Sequence, residues 1–355
     1  MGETKRIIGF DVARAFAIFG MVIVNYKIAM NAEGNGPYLE SFMRDFEGRA
    51  AAIFVIVAGV GVSLMTKGSR EMNDMQIVRE DRKSLWKGSV FLLVLGFLLI
   101  LLGWTADILH YYAFYLFLGS FFITSSTRVL IISAIFLLVL SQTSLLVLDY
   151  TKGWDSSFTE YETFWTFAGF VRNLLFNGYH PIFPWFFFIL MGMILGRLDF
   201  TSIKVRRYLL IGSSVGAIVF ELLSSIFILL TQDEVGLEIA EYLFLTKPMP
   251  PNFFYMISSS CTGVFIIRSV LFQKNLKRRK LFNHSSILAS LRLFMFLTSF
   301  YCLFLMVLGY LDHASLVFVV TSSCWFFIGA IVFSRLWRKR YKRGPIELLM
   351  RRVSG

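Results

Sequence analysis

The chain has 355 residues, 56% of them hydrophobic and only 16% charged, with 39 phenylalanines and a net charge of +12. An ordinary soluble domain carries about 25% charged residues, so this composition excludes that class and predicts an all-α polytopic membrane protein. The positive charge is parcelled into short runs between apolar stretches, which marks membrane topology rather than a nucleic-acid-binding face, and no nucleic-acid role is expected.

In chain order, apolar runs predict about ten transmembrane helices at 8–29, 50–66, 87–103, 107–125, 129–148, 183–197, 208–230, 253–271, 287–309 and 315–334. The first begins almost at once and lacks a small-residue cleavage site, so no cleavable leader is expected. The whole chain, 1–355, reads as a single integral-membrane domain. A polar cytoplasmic connection or short amphipathic helix occupies 67–87, a loop 149–182, a basic hinge 272–286 and a basic tail 335–355. With the N-terminus inside, 27 of the 35 basic residues fall on the cytoplasmic side and six on the other, a positive-inside bias that puts both termini in the cytoplasm. A further crossing at 161–177 would reverse every later loop and destroy that bias. This amphipathic segment, interrupted by Arg172 and Asn173, is therefore expected to be a re-entrant or interfacial helix on the outer side.

Polar groups inside apolar runs are costly and gather at functional sites. Asp11 and Arg14, three apart near the cytoplasmic end of the first helix, share a face. They make either a local ion pair or the lining of an entrance for an anionic cosubstrate. Asn25 and Tyr26 lie about 16 Å further along at 1.5 Å per residue, near the outer end. Asp107 and His110 are also three apart at an outer helix start. The carboxylate can fix the imidazole tautomer and raise its basicity, or the pair can simply cap the helix. In GYHPIFPWFFF, 178–188, Pro181 and Pro184 break any continuous helix. His180 and Trp185 there face either a covered cavity or the headgroup belt. Arg49 opens the second run and His313 sits in a short outer turn; each is a candidate for holding an acceptor or for shaping a loop. Arg292 and Glu221, inside late runs, are a candidate buried pair. The three cysteines lie within apolar runs, and the four histidines fall on two sides with no metal-binding spacing, so neither a disulfide nor a metal site is expected. Gly59 and Gly61, with Gly192 and Gly196 in a GxxxG spacing, predict close helix packing within the chain.

Several segments carry a resemblance in order along the chain: RIIGFDVARAFAIFGMVIVNY at 6–26, FEGRAAAIFVIVAGVG at 46–61, DILHYYAFYLFLG at 107–119, YHPIFPWFFFILMGMILGRL at 179–198, KPMPPNFFYMISSSCTG at 247–263 and RYKRGPIELLMRR at 340–352. Together they resemble the bacterial DUF418 (YeiB-like) membrane family, itself similar to the heparan-alpha-glucosaminide N-acetyltransferase family and the wider transmembrane acyltransferases. The resemblance implies a bacterial cytoplasmic-membrane enzyme that moves an acyl group, most simply acetyl from acetyl-CoA, to a hydroxyl or amine at the outer face. The acceptor would be an envelope glycan, a lipid or a small molecule. It implies that Arg14, Arg79, Arg82 and Lys83 serve the acyl-CoA phosphates, with Asp11 beside Arg14 at the cofactor entrance, and that Asn25 stabilises an oxyanion. Tyr26, Arg49, Tyr179, Trp185 and His313 would contact the acceptor. The N-acetyltransferase family places a histidine soon after its Asn–Tyr pair, whereas residues 27–50 here contain none. His180 and His110, the latter oriented by Asp107, are then the expected bases. The alternative is a transporter of a small anionic or acylated metabolite. A monomer or homodimer in the lipid bilayer is expected.

Overall fold

A computed structural model describes residues 8–32, 34, 36–72, 74–104, 106–271 and 313–341. Among the described residues the regular structure is helical, apart from one isolated bridge between Trp154 and Tyr161. The helices are α1 (Ile8–Ala29), α2 (Pro37–Phe46), α3 (Arg49–Met65), α4 (Lys67–Glu71), α5 (Met75–Leu101), α6 (Leu109–Gly119), α7 (Thr127–Val147), α8 (Phe167–Arg172), α9 (Ile182–Leu195), α10 (Ile203–Val235), α11 (Leu237–Phe244), α12 (Phe253–Leu271) and α13 (Leu316–Arg340). Their starts follow local chemistry. Ser126, Ser202 and Ser315 each accept a backbone N–H three residues on, capping α7, α10 and α13.

Six of these helices are long and apolar enough to cross a bilayer: α1, α5, α7, α10, α12 and α13. This is a multi-pass membrane protein. The ten expected spans are not all of that kind. Helices α3, α6 and α9 coincide with expected spans, yet at 17, 11 and 14 residues they fall short of a straight crossing, which needs about 20 residues. The expected span 287–309 and the hinge 272–286 lie outside the described residues, as does Arg292. Of the two readings of 67–87, the helical one holds: the segment is α4 followed by the polar first turns of α5. The basic tail begins as the end of α13. Segment 161–177 becomes α8 and a π-helical turn, Asn173–Asn177, and meets α9 at a bend of 46°, as in a broken span or a re-entrant loop.

The chain divides into two compact units, 1–54 with 101–104 and 266–355, and 55–100 with 105–265, so the boundaries fall inside α3 and α12 and before the last residue of α5. In the first unit α1 packs on α13 through Phe19 against Phe327, with ring centroids 5.0 Å apart, and Tyr26 against Phe326 at 5.9 Å. Lys27 pairs with Glu47 and closes the turn after α2.

In the second unit α9 is the centre. Trp185, Phe188, Ile189 and Leu190 are wholly buried, and α9 meets α3 along a seam of glycines. A methyl on Gly192 would lie 2.0 Å from the Ile56 carbonyl oxygen, and one on Gly59 would lie 2.2 Å from that of Ile189. The GxxxG spacing thus serves packing inside the unit. Glu221 on α10 accepts hydroxyl hydrogen bonds from Thr246 and Ser258, which gives this carboxylate polar company within an apolar helix. The rest of α10 is largely uncovered and apolar, as suits a lipid-facing helix.

The glycine seam predicts a sharp contrast. Gly59→Val overpacks the α3–α9 contact and should cost about 1–3 kcal/mol, read as a lowered thermal midpoint of the detergent-solubilised protein. Gly212→Val, at a position with no atom within 4 Å of an added methyl, should leave that midpoint within a degree or two, roughly the scatter of surface changes.

Candidate active site

At one end of the second unit, α6, the bend before α9 and the loop 148–166 converge. Asp107 and His110 are each only 1% exposed. One carboxylate oxygen, Oδ2 of Asp107, lies 3.0 Å from the His110 backbone nitrogen and 3.0 Å from its ring Nδ1. The first contact caps α6 and the second orients the ring, so the cap and the functional reading of this pair coexist. With Nδ1–H donating to Asp107, the lone pair resides on Nε2, and Nε2 is buried without a hydrogen-bond partner. Gly96 on α5 makes the fit possible, since a methyl there would come within 2.7 Å of Asp107 Oδ2 and 2.6 Å of the His110 nitrogen.

Tyr111 stands between the two histidines. Its ring lies 3.8 Å from that of His110 and 5.9 Å from that of His180, and His180 lies 4.5 Å from Trp185. His180 Nδ1 and Trp185 Nε1 are also buried without hydrogen-bond partners. A buried orphan polar atom costs about 1–3 kcal/mol. Three in one aromatic cluster mark a place prepared for a polar guest.

The bend is held by asparagines. Asn177 donates to the carbonyls of Tyr150 (2.8 Å) and Lys152 (2.9 Å) and accepts from Tyr161 Oη (2.8 Å). Trp154 Nε1 donates to the Asn177 carbonyl at 2.6 Å. Asn173 accepts from Tyr111, and Tyr115 donates to the His180 carbonyl. Gly178 is needed at the turn, because a methyl there would sit 2.1 Å from Tyr111 Oη. Pro181 then precedes α9, with a cis bond between Phe183 and Pro184. The loop beyond is pinned by Arg172, which donates to Tyr161 Oη and Thr163 Oγ1 at 2.9 and 3.0 Å. Tyr179 Oη donates to the Phe158 carbonyl at 3.0 Å. Asp155 accepts the backbone N–H groups of Thr159 and Glu160 at 2.8 Å each.

Of the residues singled out in the sequence, Asp107, His110, His180 and Trp185 are thus gathered in one cluster, with Tyr179 tied to its covering loop. Asn173, Asn177, Tyr111, Gly96 and Gly178 build the same place and were not anticipated as a group. Two asparagines four apart in an otherwise apolar helical stretch were the available signal. Arg82 donates to the Ser120 carbonyl at 3.2 Å, beside the C-terminal end of α6, while Arg79 and Lys83 are exposed. From Arg82 to Gly96 along α5 is about 20 Å at 1.5 Å per residue, so these basic groups stand at the far end of the unit from His110.

The first unit holds the remaining candidates. Arg14 Nη1 lies 3.6 Å from the buried carboxylate of Asp11. Asn25 is half-buried, Tyr26 is buried against Phe326, and Arg49 opens α3. His313 is exposed with a φ of +57° in the turn before α13. Among the described residues no group of histidine, cysteine or carboxylate side chains is arranged to hold a metal.

Comparison with known families finds two matches. The model described as heparan-alpha-glucosaminide N-acetyltransferase, catalytic, matches residues 6–226, and that described as a protein of unknown function, DUF418, matches residues 202–355. No curated protein and no solved structure matches the chain.

Two measurements test the architecture of this end. Asn177→Ala strips partners from two carbonyls and a hydroxyl and should cost about 2–4 kcal/mol, read by chemical denaturation. The Ser157 hydroxyl, and after it the Glu160 backbone N–H, hold Asp155 down to about 2. That folded value lies below the ordinary 3.8. Its contribution to loop order is therefore complete above pH 3.8 and is lost as pH falls through about 2. Loop fluorescence or hydrogen exchange at 157–160 should follow that course, and Asp155→Asn should lose the protection at neutral pH.

Proposed function

Because the chain belongs to the heparan-alpha-glucosaminide N-acetyltransferase catalytic family, a family of transmembrane acetyltransferases, we propose that it transfers an acyl group, most simply acetyl, from cytoplasmic acyl-CoA to a hydroxyl or amine at the outer face. The observation that carries this reading is the fully buried Asp107–His110 pair with an unpartnered Nε2 facing an aromatic cluster. His110 acts as the base. Its Nε2 takes the proton of the acceptor as the acceptor's oxygen or nitrogen bonds to the thioester carbonyl carbon. The C–S bond then breaks, and the proton returns to the departing thiolate. Asp107 keeps Nδ1 protonated, so that Nε2 is the basic nitrogen, and stabilises the imidazolium that forms. Trp185 Nε1–H and the His180 ring present further polar atoms toward the acceptor or the developing oxyanion.

Asn25, Tyr26, Arg49 and His313 keep the roles that family resemblance implies, as proposals about the first unit. Residue 180 is the second base, and its exchange tests whether one histidine or two carry the proton. The broken helix around 178–181 supports transport of a small anionic or acylated metabolite as the other reading, because discontinuous helices also build transporter sites.

The test uses inverted membrane vesicles given labelled acetyl-CoA on the cytoplasmic face. His110→Ala should slow label transfer by about 10²-fold or more at unchanged protein abundance. Asp107→Asn should do much the same, because Nδ1 loses the carboxylate that holds its proton and Nε2 is no longer fixed as the basic nitrogen. Full activity in His110→Ala sinks the assignment of the base. Movement of intact label across the membrane without covalent transfer favours transport.

A further inference from the structure

The opposite end of the second unit holds a feature that the proton-transfer chemistry does not use. The C-terminus of α9 is pressed on the last turn of α3, since a methyl on Gly196 would lie 2.6 Å from Ser63 Cβ and 3.1 Å from the Val60 carbonyl. The next residue, Arg197, is thereby delivered among the end of α3, the short α4 and the start of α7. Its Nη1 donates to Thr127 Oγ1 at 3.2 Å. Its Nε and Nη2 are buried with no hydrogen-bond partner. These two nitrogens form one edge of the guanidinium, the edge that grips a phosphate or carboxylate with two parallel hydrogen bonds.

Arg70 stands beside it and donates from Nη1 to the buried Thr66 hydroxyl at 3.3 Å. Each neighbouring acid has a partner elsewhere, and Glu71 also acts on Arg70 by its charge. Glu71 pairs with Lys67 at 3.5 Å, Asp81 accepts from Ser69 Oγ at 2.6 Å, and Asp199 accepts from Thr201 Oγ1 at 2.6 Å. Burial, and after it the Arg70 charge, push Arg197 down to about 10. Glu71 offsets part of the Arg70 charge, but the buried Nε–Nη2 edge of Arg197 has no acceptor, and such an edge beside a second cation is unfavourable unless an anion joins it.

We propose that Arg197 and Arg70 form a phosphate-binding site at the basic end of the second unit, with Thr127 holding the Arg197 fork in place. A bound phosphate accepts two hydrogen bonds from Nε and Nη2 of Arg197, and its charge offsets the repulsion between the guanidinia. The phosphate comes from the nucleotide end of an acyl-CoA or from a phospholipid headgroup. The nucleotide source rests on the acyltransferase reading; the phosphate chemistry does not. The assignment moves cosubstrate recognition away from Arg79 and Lys83, which are exposed, and from Arg82, which already donates to a carbonyl.

The full-length protein in phosphatidylcholine nanodiscs is titrated with adenosine 3′,5′-bisphosphate by calorimetry, at low and high salt. In a parallel arm, lipid retained by protein purified from phosphatidylglycerol-containing membranes is measured by native mass spectrometry. With a nucleotide source, the wild type binds the bisphosphate. Arg197→Gln then weakens binding by about tenfold or more, Arg70→Gln weakens it less, and Lys204→Gln leaves it within about twofold. With a lipid source, the bisphosphate does not bind, while phosphatidylglycerol is retained by the wild type and lost from Arg197→Gln. The proposal is overturned if the wild type takes up neither probe, or if Arg197→Gln and Arg70→Gln hold both as the wild type does. Should Arg197→Gln not be recovered folded by size exclusion, Arg70→Gln and Thr127→Val carry the same comparison. Loss of phosphate binding in Arg197→Gln without any acyl transfer by the wild type retains this site and removes the acyltransferase reading. Transfer by the wild type with unaltered phosphate binding in both arginine variants does the reverse.

Discussion

A break in a helix at membrane depth survives only if the backbone groups it frees are hydrogen-bonded within the protein. Here one side chain carries much of that requirement. Asn177, wholly buried, satisfies two carbonyls of the 148–166 loop and a tyrosine hydroxyl, while its own carbonyl accepts from Trp154. The π-helical turn before it and the prolines after it can then exist together. Without that anchoring, the chain between α8 and α9 would have no reason to present His180 beside Tyr111 and Trp185.

Helix α9 links the two ends of the second unit. Its regular stretch from Pro184 to Leu195 spans about 16 Å at 1.5 Å per residue, about half of the roughly 30 Å of hydrocarbon. The aromatic and histidine cluster lies at its start and the arginine pair just beyond its end. Between them, the glycine seam with α3 lets the two backbones touch, which fixes the lengthwise position of α9. A donor with a phosphate end and a reactive end separated by a long arm is the chemistry that such a spacing accommodates, and this ties the proposed phosphate site to the proposed base.

The reading of residues and the folded chain diverge in instructive places. Asp107 and His110 were legible because three-residue spacing places both on one face of a helix. Their contact at 3.0 Å follows that periodicity. The seam at Gly59 and Gly192 was legible for a similar reason, since small residues in apolar runs imply close approach. The polar stretch at 67–87 left a connection and a short amphipathic helix both open, because its charges blur the helical pattern. Packing against α6, with Arg82 and Trp86 reaching Ser120, makes it the start of α5. Arg197 was counted only as a topology-setting charge. Nothing in its sequence neighbourhood reveals that its guanidinium turns inward.

By itself the sequence determined that this is a helical, multi-pass membrane protein of an acetyltransferase family, because apolar run length and ordered local motifs are properties of contiguous residues. It also determined that no undisturbed helix runs through Pro181 and Pro184, since two prolines remove the hydrogen bonds a helix requires, and Phe183 keeps non-helical angles inside the start of α9. Only the tertiary structure decided that Tyr111 separates two histidines, that Asn177 ties the break to a distant loop, and that Arg197 meets Arg70. Those partners lie tens of residues apart, and their meeting depends on how α3, α7 and α9 pack rather than on any spacing along the chain.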